Sequence, residues 1–441
     1  MFSLFLIHNS FFMAHVGFIQ IGYKPKYEQE IIATFYLEPA PGLAFNEVVD
    51  AVAGESSIGS WTDLGTLKKA VAEKIQARVF FIDVKKKIIK IAYPLALFEL
   101  GSIPQFLSSV GGNIFSMKAV SKLRLLDVEF PAKYINSFQG PAFGLAGVRK
   151  ILGIKKRLIL GSIIKPKVGL NPDEQAELSY EVWKNGIDLI KDDENLTDMT
   201  FNRFEERVRK VLKMAQKAEA ETGNVKVYSA NVTAPPDVML ERAKFVKSLG
   251  GRVVMVDVVS TGLDSVQFLR KQNLGLVIHG HRAGHSTFTR YEKHGITMLV
   301  LAKLARLAGV DQLHTGTVVG KMDGTSEEVL TINQLLHEDW RDYHSLRENW
   351  SKVKPTLPIA SGGMHPGLLP KLVESLGSDL IANFGGGIHG HVDGSAAGAR
   401  GCLQAAEAVG KGIPLSVYAK DHDELCKALI QWGNVKYKYK R

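Results

Sequence analysis

From about residue 158 the chain repeats one pattern eight times: a short apolar run, then a longer stretch with apolar positions at helical spacing. The runs fall at 159–164, 187–191, 226–231, 253–258, 275–280, 310–314, 357–361 and 379–384. Continuous apolar runs of this length predict buried strands, and strands alternating with helices predict parallel βαβ units. Eight such units in about 230 residues predict a closed (β/α)8 TIM barrel. A doubly wound open sheet is the alternative. It is disfavoured because charged strand ends are spread around all eight units.

The preceding rhythm is different. Within residues 13–140, the segments 31–36, 79–82 and 88–93 read as strands, and 45–53, 65–76 and 103–110 read as helices. That order predicts a ferredoxin-like α+β domain with helices on one face of an antiparallel sheet. The expected division is an extension or upstream start over 1–12 before Met13, an N-terminal domain over 13–140, and the barrel over 141–441. Beyond about 410, a helical tail is expected to close the base of the barrel or pack on a partner.

Composition narrows the function classes. The chain has 441 residues, 45% of them hydrophobic and 23% charged, which is ordinary for a globular protein with a sizeable core. The net charge of +10 favours anionic partners. Its lysines are scattered, however, apart from Lys85–Lys87 and the tail from Lys436, so no nucleic-acid partner is expected. Cys402 and Cys426 form neither a metal spacing nor a disulfide framework. No run is long enough to span a membrane, and no secretory signal is evident. The expected location is the cytoplasm.

The polar residues gather at the C-terminal ends of the strands, which is the active face of such barrels. Strand one ends Lys165-Pro166-Lys167, with the two lysines two residues apart. Strand two ends Lys191-Asp192-Asp193-Glu194, where Lys191 and Asp193 share a face. A lysine among carboxylates at the mouth of a core is costly for packing alone and makes chemical sense beside a divalent metal. Strand five ends His279-Gly280-His281-Arg282-Ala283-Gly284-His285. Arg282 suits a phosphate, and His281 suits a phosphate or general acid/base work. Zinc held by His281 and His285 is the rival reading. Strand six ends at His314 and runs into a glycine-bracketed segment carrying Lys321, which reads as a lid. Strands seven and eight end Ser361-Gly362-Gly363 and Phe384-Gly385-Gly386-Gly387, where backbone N–H groups suit a second phosphate. Two phosphate sites flanking a metal ask for a bisphosphorylated small molecule.

These motifs, above all GIDLIKDDEN, FNRFEERVRK, HGITMLVLAKLARLAGVDQLHTGTVVGK and ASGGMHPG, closely resemble the large subunit of ribulose-1,5-bisphosphate carboxylase/oxygenase (RuBisCO). The resemblance covers roughly residues 20–435 and is nearest to the archaeal form III enzymes. It implies a carbamate formed by carbon dioxide on Lys191, and Mg²⁺ held by that group, Asp193 and Glu194. It implies Lys165 as acid/base, with Lys167 tuning it by like-charge repulsion, and His281 assisting at C3 of the sugar. Lys321 would close over the new carboxylate. Arg282, His314 and Ser361 would hold one phosphate, and Gly362, Gly363, Gly385 and Gly386 the other. From the N-terminal domain, Glu55, Ser60, Trp61 and Asn113 would reach the barrel of a neighbouring subunit, so a homodimer or an oligomer of dimers is implied, without a small subunit.

The implied reaction is carboxylation of ribulose 1,5-bisphosphate to two 3-phosphoglycerates through a Mg-stabilised enediolate. Oxygenation would be a side reaction, and AMP/nucleotide salvage the setting. The alternative is a form IV RuBisCO-like enolase or isomerase acting on a substrate such as 2,3-diketo-5-methylthiopentyl-1-phosphate. Ser60 in place of the family's usual threonine, Asn383 in place of glutamine, and Gly284, His389 and Val392 depart from the family pattern near a phosphate site without removing a catalytic group.

Overall fold

A computed structural model describes residues 17–59, 66–320, 325–337, 340–343, 346–350 and 352–433. Ser60, Trp61 and Lys321 lie outside the described residues. The chain divides into two compact units. The first takes the chain up to Ser137 and also the later segment Tyr291–Val300; the second takes most of the remainder.

In the first unit, strands β1 (Glu30–Pro39), β2 (Arg78–Asp83), β3 (Ile88–Pro94) and β4 (Val120–Glu129) form an antiparallel sheet in the order β4-β1-β3-β2. Central β1 is rich in β-branched and aromatic residues and exposes none of them fully, as suits a strand paired on both sides. The helices Phe45–Glu55, Lys69–Ile75 and Ile103–Val110 stand close to the segments read from periodicity. Ser102 caps the last of these by accepting from the Gln105 amide. Strand β4 does not figure among the expected strands. Charged residues (Lys122, Arg124 and Asp127) are interspersed with apolar ones along it, which is the mark of a half-buried strand.

The second unit holds the barrel. Strands β5 (Ile159–Ile163), β6 (Leu189–Lys191), β7 (Val227–Asn231), β8 (Val253–Asp257) and β9 (Val277–His281) follow one another around it. The two-residue β10 (Gly295–Ile296) leaves to join β4 of the first unit in parallel. The barrel resumes with β11 (Gln312–His314). A short pair, β12 (Trp340–Tyr343) and β13 (Leu346–Asn349), intervenes before β14 (Leu357–Ser361) and β15 (Ile381–Phe384). Pairing of β15 with β5 and of β9 with β11 closes the ring. Each of the eight apolar runs coincides with one barrel strand, β9 extending one residue beyond its run.

The barrel is built apolar at one end and polar at the other. Ile159, Leu189, Val227, Val253, Val277, Leu357 and Ile381 are the first residues of their strands, and they pack into one buried cluster with Val148 and Leu152. Six of the eight strands end in a polar residue: Lys191, Asn231, Asp257, His281, His314 and Ser361. The stable plug at the strand starts leaves the strand ends free to carry charge. The last described helix, Asp423–Trp432, packs against the helix Gly394–Gly410. Its Glu424 accepts from Arg400 and Gln404 on the helix Gly394–Gly410, and its Gln431 donates to the Gly390 carbonyl. Among the described residues no helix is long and apolar enough to cross a membrane.

Candidate functional site

Lys191 is fully buried at the end of β6. Its Nζ donates to the Asp192 carbonyl at 2.7 Å and stands 3.8 Å from Glu194 Oε2. Burial pushes its pKa down, against the pull of Glu194, Asp193 and Asp257, so the neutral amine is favoured more than in an exposed lysine. Lys165 follows β5 and donates to Asp193 Oδ2 at 2.6 Å, while Lys167 Nζ lies 3.7 Å from Glu194 Oε1. Burial raises the Asp193 and Glu194 carboxyls, but the neighbouring cations outweigh it. Lys165 holds Asp193, and Lys191 with His281 holds Glu194, below the usual carboxylate range. Asp193 and Glu194 therefore present charged oxygen donors at the mouth.

Asp192, the middle acid of the motif, does different work. It points into the wall and accepts from Gln175 at 2.7 Å, Tyr228 at 2.6 Å, the Asn231 amide at 2.9 Å and Arg207 at 3.3 Å. Arg207, itself fully buried, also donates to the carbonyls of Thr197 and Asn202. Asn231 donates to the carbonyls of Asp193 and Glu194 at 3.3 and 3.2 Å. This network anchors the backbone that carries Lys191, Asp193 and Glu194.

Across the mouth, His281 Nδ1 sits 3.0 Å from Asp257 Oδ1 and its Nε2 sits 3.7 Å from Glu194 Oε2. Asp257 orients the ring and has no place among the residues expected from sequence. An acid as the last residue of the apolar strand Val253–Asp257 is the signal that could have found it. His285 Nδ1 bonds Thr289 Oγ1 at 2.9 Å, and among the described residues no three His, Cys, Asp or Glu side chains form a metal-binding group.

His314 is buried, and both its ring nitrogens are engaged. Nε2 lies 2.8 Å from His279 Nε2, and Nδ1 lies 2.7 Å from Ser361 Oγ. Burial, with the basic groups around it, pushes its pKa far below the usual histidine value.

Glycines open the space. A Cβ on Gly316 would meet Arg282 Nη2 at 2.8 Å, and φ there is +95°, so glycine lets Arg282 lie against that turn. A Cβ on Gly385 would meet Lys165 Cε at 3.1 Å, whereas Gly386 faces open space. Gly362 and Gly363 both have positive φ, and the Gly362 carbonyl packs against Gly320. In the N-terminal unit, Asn113 Nδ2 donates to Glu55 Oε1 at 3.4 Å, and both residues are exposed.

Comparison with known proteins accords with this arrangement. Residues 144–432 match the family described as the ribulose bisphosphate carboxylase large chain, catalytic domain, and residues 17–134 match its N-terminal domain. The ribulose bisphosphate carboxylase of Methanosarcina mazei is 49% identical over 422 residues, covering 94% of this chain and 98% of that protein. That of Pyrococcus abyssi is 46% identical over 428 residues, covering 96% and 98%. Among solved structures, the dimeric archaeal Rubisco from Hyperthermus butylicus superposes with a TM-score of 0.90 at 45% identity, covering 95% of this chain and 99% of that one. The octameric enzyme from Pyrococcus horikoshii, in complex with sulfate ion, superposes with a TM-score of 0.89 at 46% identity, covering 95% and 97%. Matched along nearly its whole length by both family domains and by archaeal relatives, the chain belongs to the ribulose bisphosphate carboxylase large-chain family.

Proposed function

We propose that this protein joins carbon dioxide and water to ribulose 1,5-bisphosphate, giving two 3-phosphoglycerates, with oxygenation as a side reaction. The observation that carries the reading is Lys191, a fully buried lysine beside Asp193 and Glu194 in a chain of this family. Carbon dioxide adds only to a neutral amine, and burial favours that form. The carbamate that results replaces a cation with an anionic oxygen donor. With Asp193 and Glu194 it completes three hard oxygen ligands, the set Mg²⁺ takes, and the donors present therefore fit that ion. When bound, Mg²⁺ supplies Lewis-acid polarisation of the sugar's carbonyl and adjoining hydroxyl.

The chain's own groups do the rest. Lys165, held by Asp193 at the mouth, gives and takes protons on the substrate, and Lys167 keeps a second positive charge close by. His281, aimed by Asp257, serves the C3 side. Arg282 takes the charge of one phosphate through its fork of donors, and Ser361, backed by His314, binds the sugar beside it. The backbone of Gly362, Gly363, Gly385 and Gly386 takes the other phosphate. Lys321 brings positive charge to the nascent carboxylate.

By likeness to the dimeric and octameric archaeal relatives, the working unit is a homodimer or an assembly of dimers without a small subunit. Glu55, Ser60, Trp61 and Asn113 complete the partner's site. The cytoplasm is the compartment and nucleotide salvage the source of substrate.

The deciding experiment is fixation of labelled carbon dioxide by folded protein with ribulose 1,5-bisphosphate and Mg²⁺ under anoxic conditions. Labelled 3-phosphoglycerate is the expected product. Its absence, together with proton exchange on a diketo-phosphate, would replace carboxylation with enolisation.

A further inference from the structure

Four side chains from three neighbouring barrel strands form one line of hydrogen bonds. Gln312 Oε1 lies 2.8 Å from His279 Nδ1, His279 Nε2 lies 2.8 Å from His314 Nε2, and His314 Nδ1 lies 2.7 Å from Ser361 Oγ. Strand register produces the line. Gln312 stands opposite His279 across β9 and β11, and His314 stands opposite Ile359, which brings Ser361, two residues on, within reach. Gln312, His279 and His314 are all buried.

A neutral imidazole has one N–H and one lone pair, so the direction of each bond fixes the next. Burial keeps both rings far below the usual histidine range, so the neutral tautomers are the relevant ones. The Gln312 oxygen can only accept. His279 must then carry its proton on Nδ1 and accept at Nε2. His314 must donate from Nε2 and accept at Nδ1, and the Ser361 hydroxyl must donate inward.

We propose that Gln312 and His279 are positioning residues that lock His314 in its Nε2–H tautomer and thereby turn the lone pairs of Ser361 toward the mouth, where they suit a hydroxyl of the sugar rather than a phosphate oxygen. The inference rests on the reading of Ser361 as a substrate-binding residue. The Gln312 amide nitrogen is buried without a hydrogen-bond partner, so the amide is oriented by its oxygen alone. The opposite polarity requires that amide to turn and donate to His279, and it places the proton of His314 on Nδ1.

The test is ring-nitrogen NMR of the full-length protein labelled with ¹⁵N-histidine, with His279 and His314 assigned by single substitution. The expected spectrum shows His279 protonated on Nδ1 and His314 on Nε2. Gln312→Met removes the acceptor. It is expected to mix the two tautomers and to raise KM for ribulose 1,5-bisphosphate about tenfold, with kcat changed less than about twofold, as loss of one buried hydrogen bond would. Gln312→Glu, which can accept from His279, is expected to restore the tautomers and lower KM again. A proton on Nδ1 of His314 in the unsubstituted protein overturns the proposal. So do unchanged ring spectra and KM in a folded Gln312→Met. If that variant does not fold, the unsubstituted spectrum decides alone. A protein that fixes no carbon dioxide would defeat the carboxylase reading while the ring spectra still report the tautomer.

Discussion

Lys191 gives the sharpest prediction at the scale of single residues. Lys191→Met keeps an unbranched side chain of similar size but cannot form a carbamate. Carbon dioxide fixation should fall below detection, while the thermal midpoint holds or rises because a buried amine is replaced by an apolar group. Labelled-carbon assay beside calorimetry checks both parts. Asp257→Asn tests a residue that acts through another: it weakens the acceptor that aims His281. A fall in kcat of roughly tenfold to a hundredfold is expected, as for loss of an orienting partner, and steady-state kinetics would read it. The identity of Lys165, Lys191, Asp193, Glu194 and His281 as candidates was legible because charge directly after an apolar strand is costly and therefore informative. Which of the two adjacent aspartates faces the mouth follows from strand alternation, but the wall network around Asp192 was hidden, since Gln175, Arg207 and Tyr228 come from other elements.

At the scale of elements, that network is a stability feature. Arg207→Met would leave Asp192 buried with its charge partner gone. The expected loss is about 3–5 kcal/mol, read from denaturant midpoints, and fixation should fall with it because β6 loses its anchor. The turn after β11 makes a second test. Gly316→Ala forces a Cβ toward Arg282 at a positive φ, so KM for the bisphosphate should rise several-fold if Arg282 holds phosphate. All eight barrel strands were readable because buried parallel strands are continuous apolar runs. Strand β4 was not, because its charged residues break such a run. The pairing of the two-residue β10 with β4 could not be read either, since two residues carry no periodicity.

At the scale of the whole molecule, buried neutral histidines set the acid limit. His279 and His314 are pushed far below the usual value, and burial with the nearby Lys165 takes His389 down to about 4. The unfolded chain takes up protons on these rings near pH 6.5, and the folded chain does not. Their contribution is thus complete above that value and is lost as pH falls from 6.5 toward 4, by up to about 1.4 kcal/mol per pH unit for each ring. Thermal melts across that range should show a steepening fall in midpoint, and His389→Gln should flatten it. The sequence by itself determined the barrel, the order of its strands and the charged cluster at their ends, because these depend on local patterning and the buried face of each strand. Only the tertiary structure decided what those charges touch: Asp192 in the wall, Asp257 behind His281, and His314 tied to His279 and Ser361. Such contacts join residues far apart in the chain, and strand register, which local pattern does not encode across the barrel, sets them within hydrogen-bond distance.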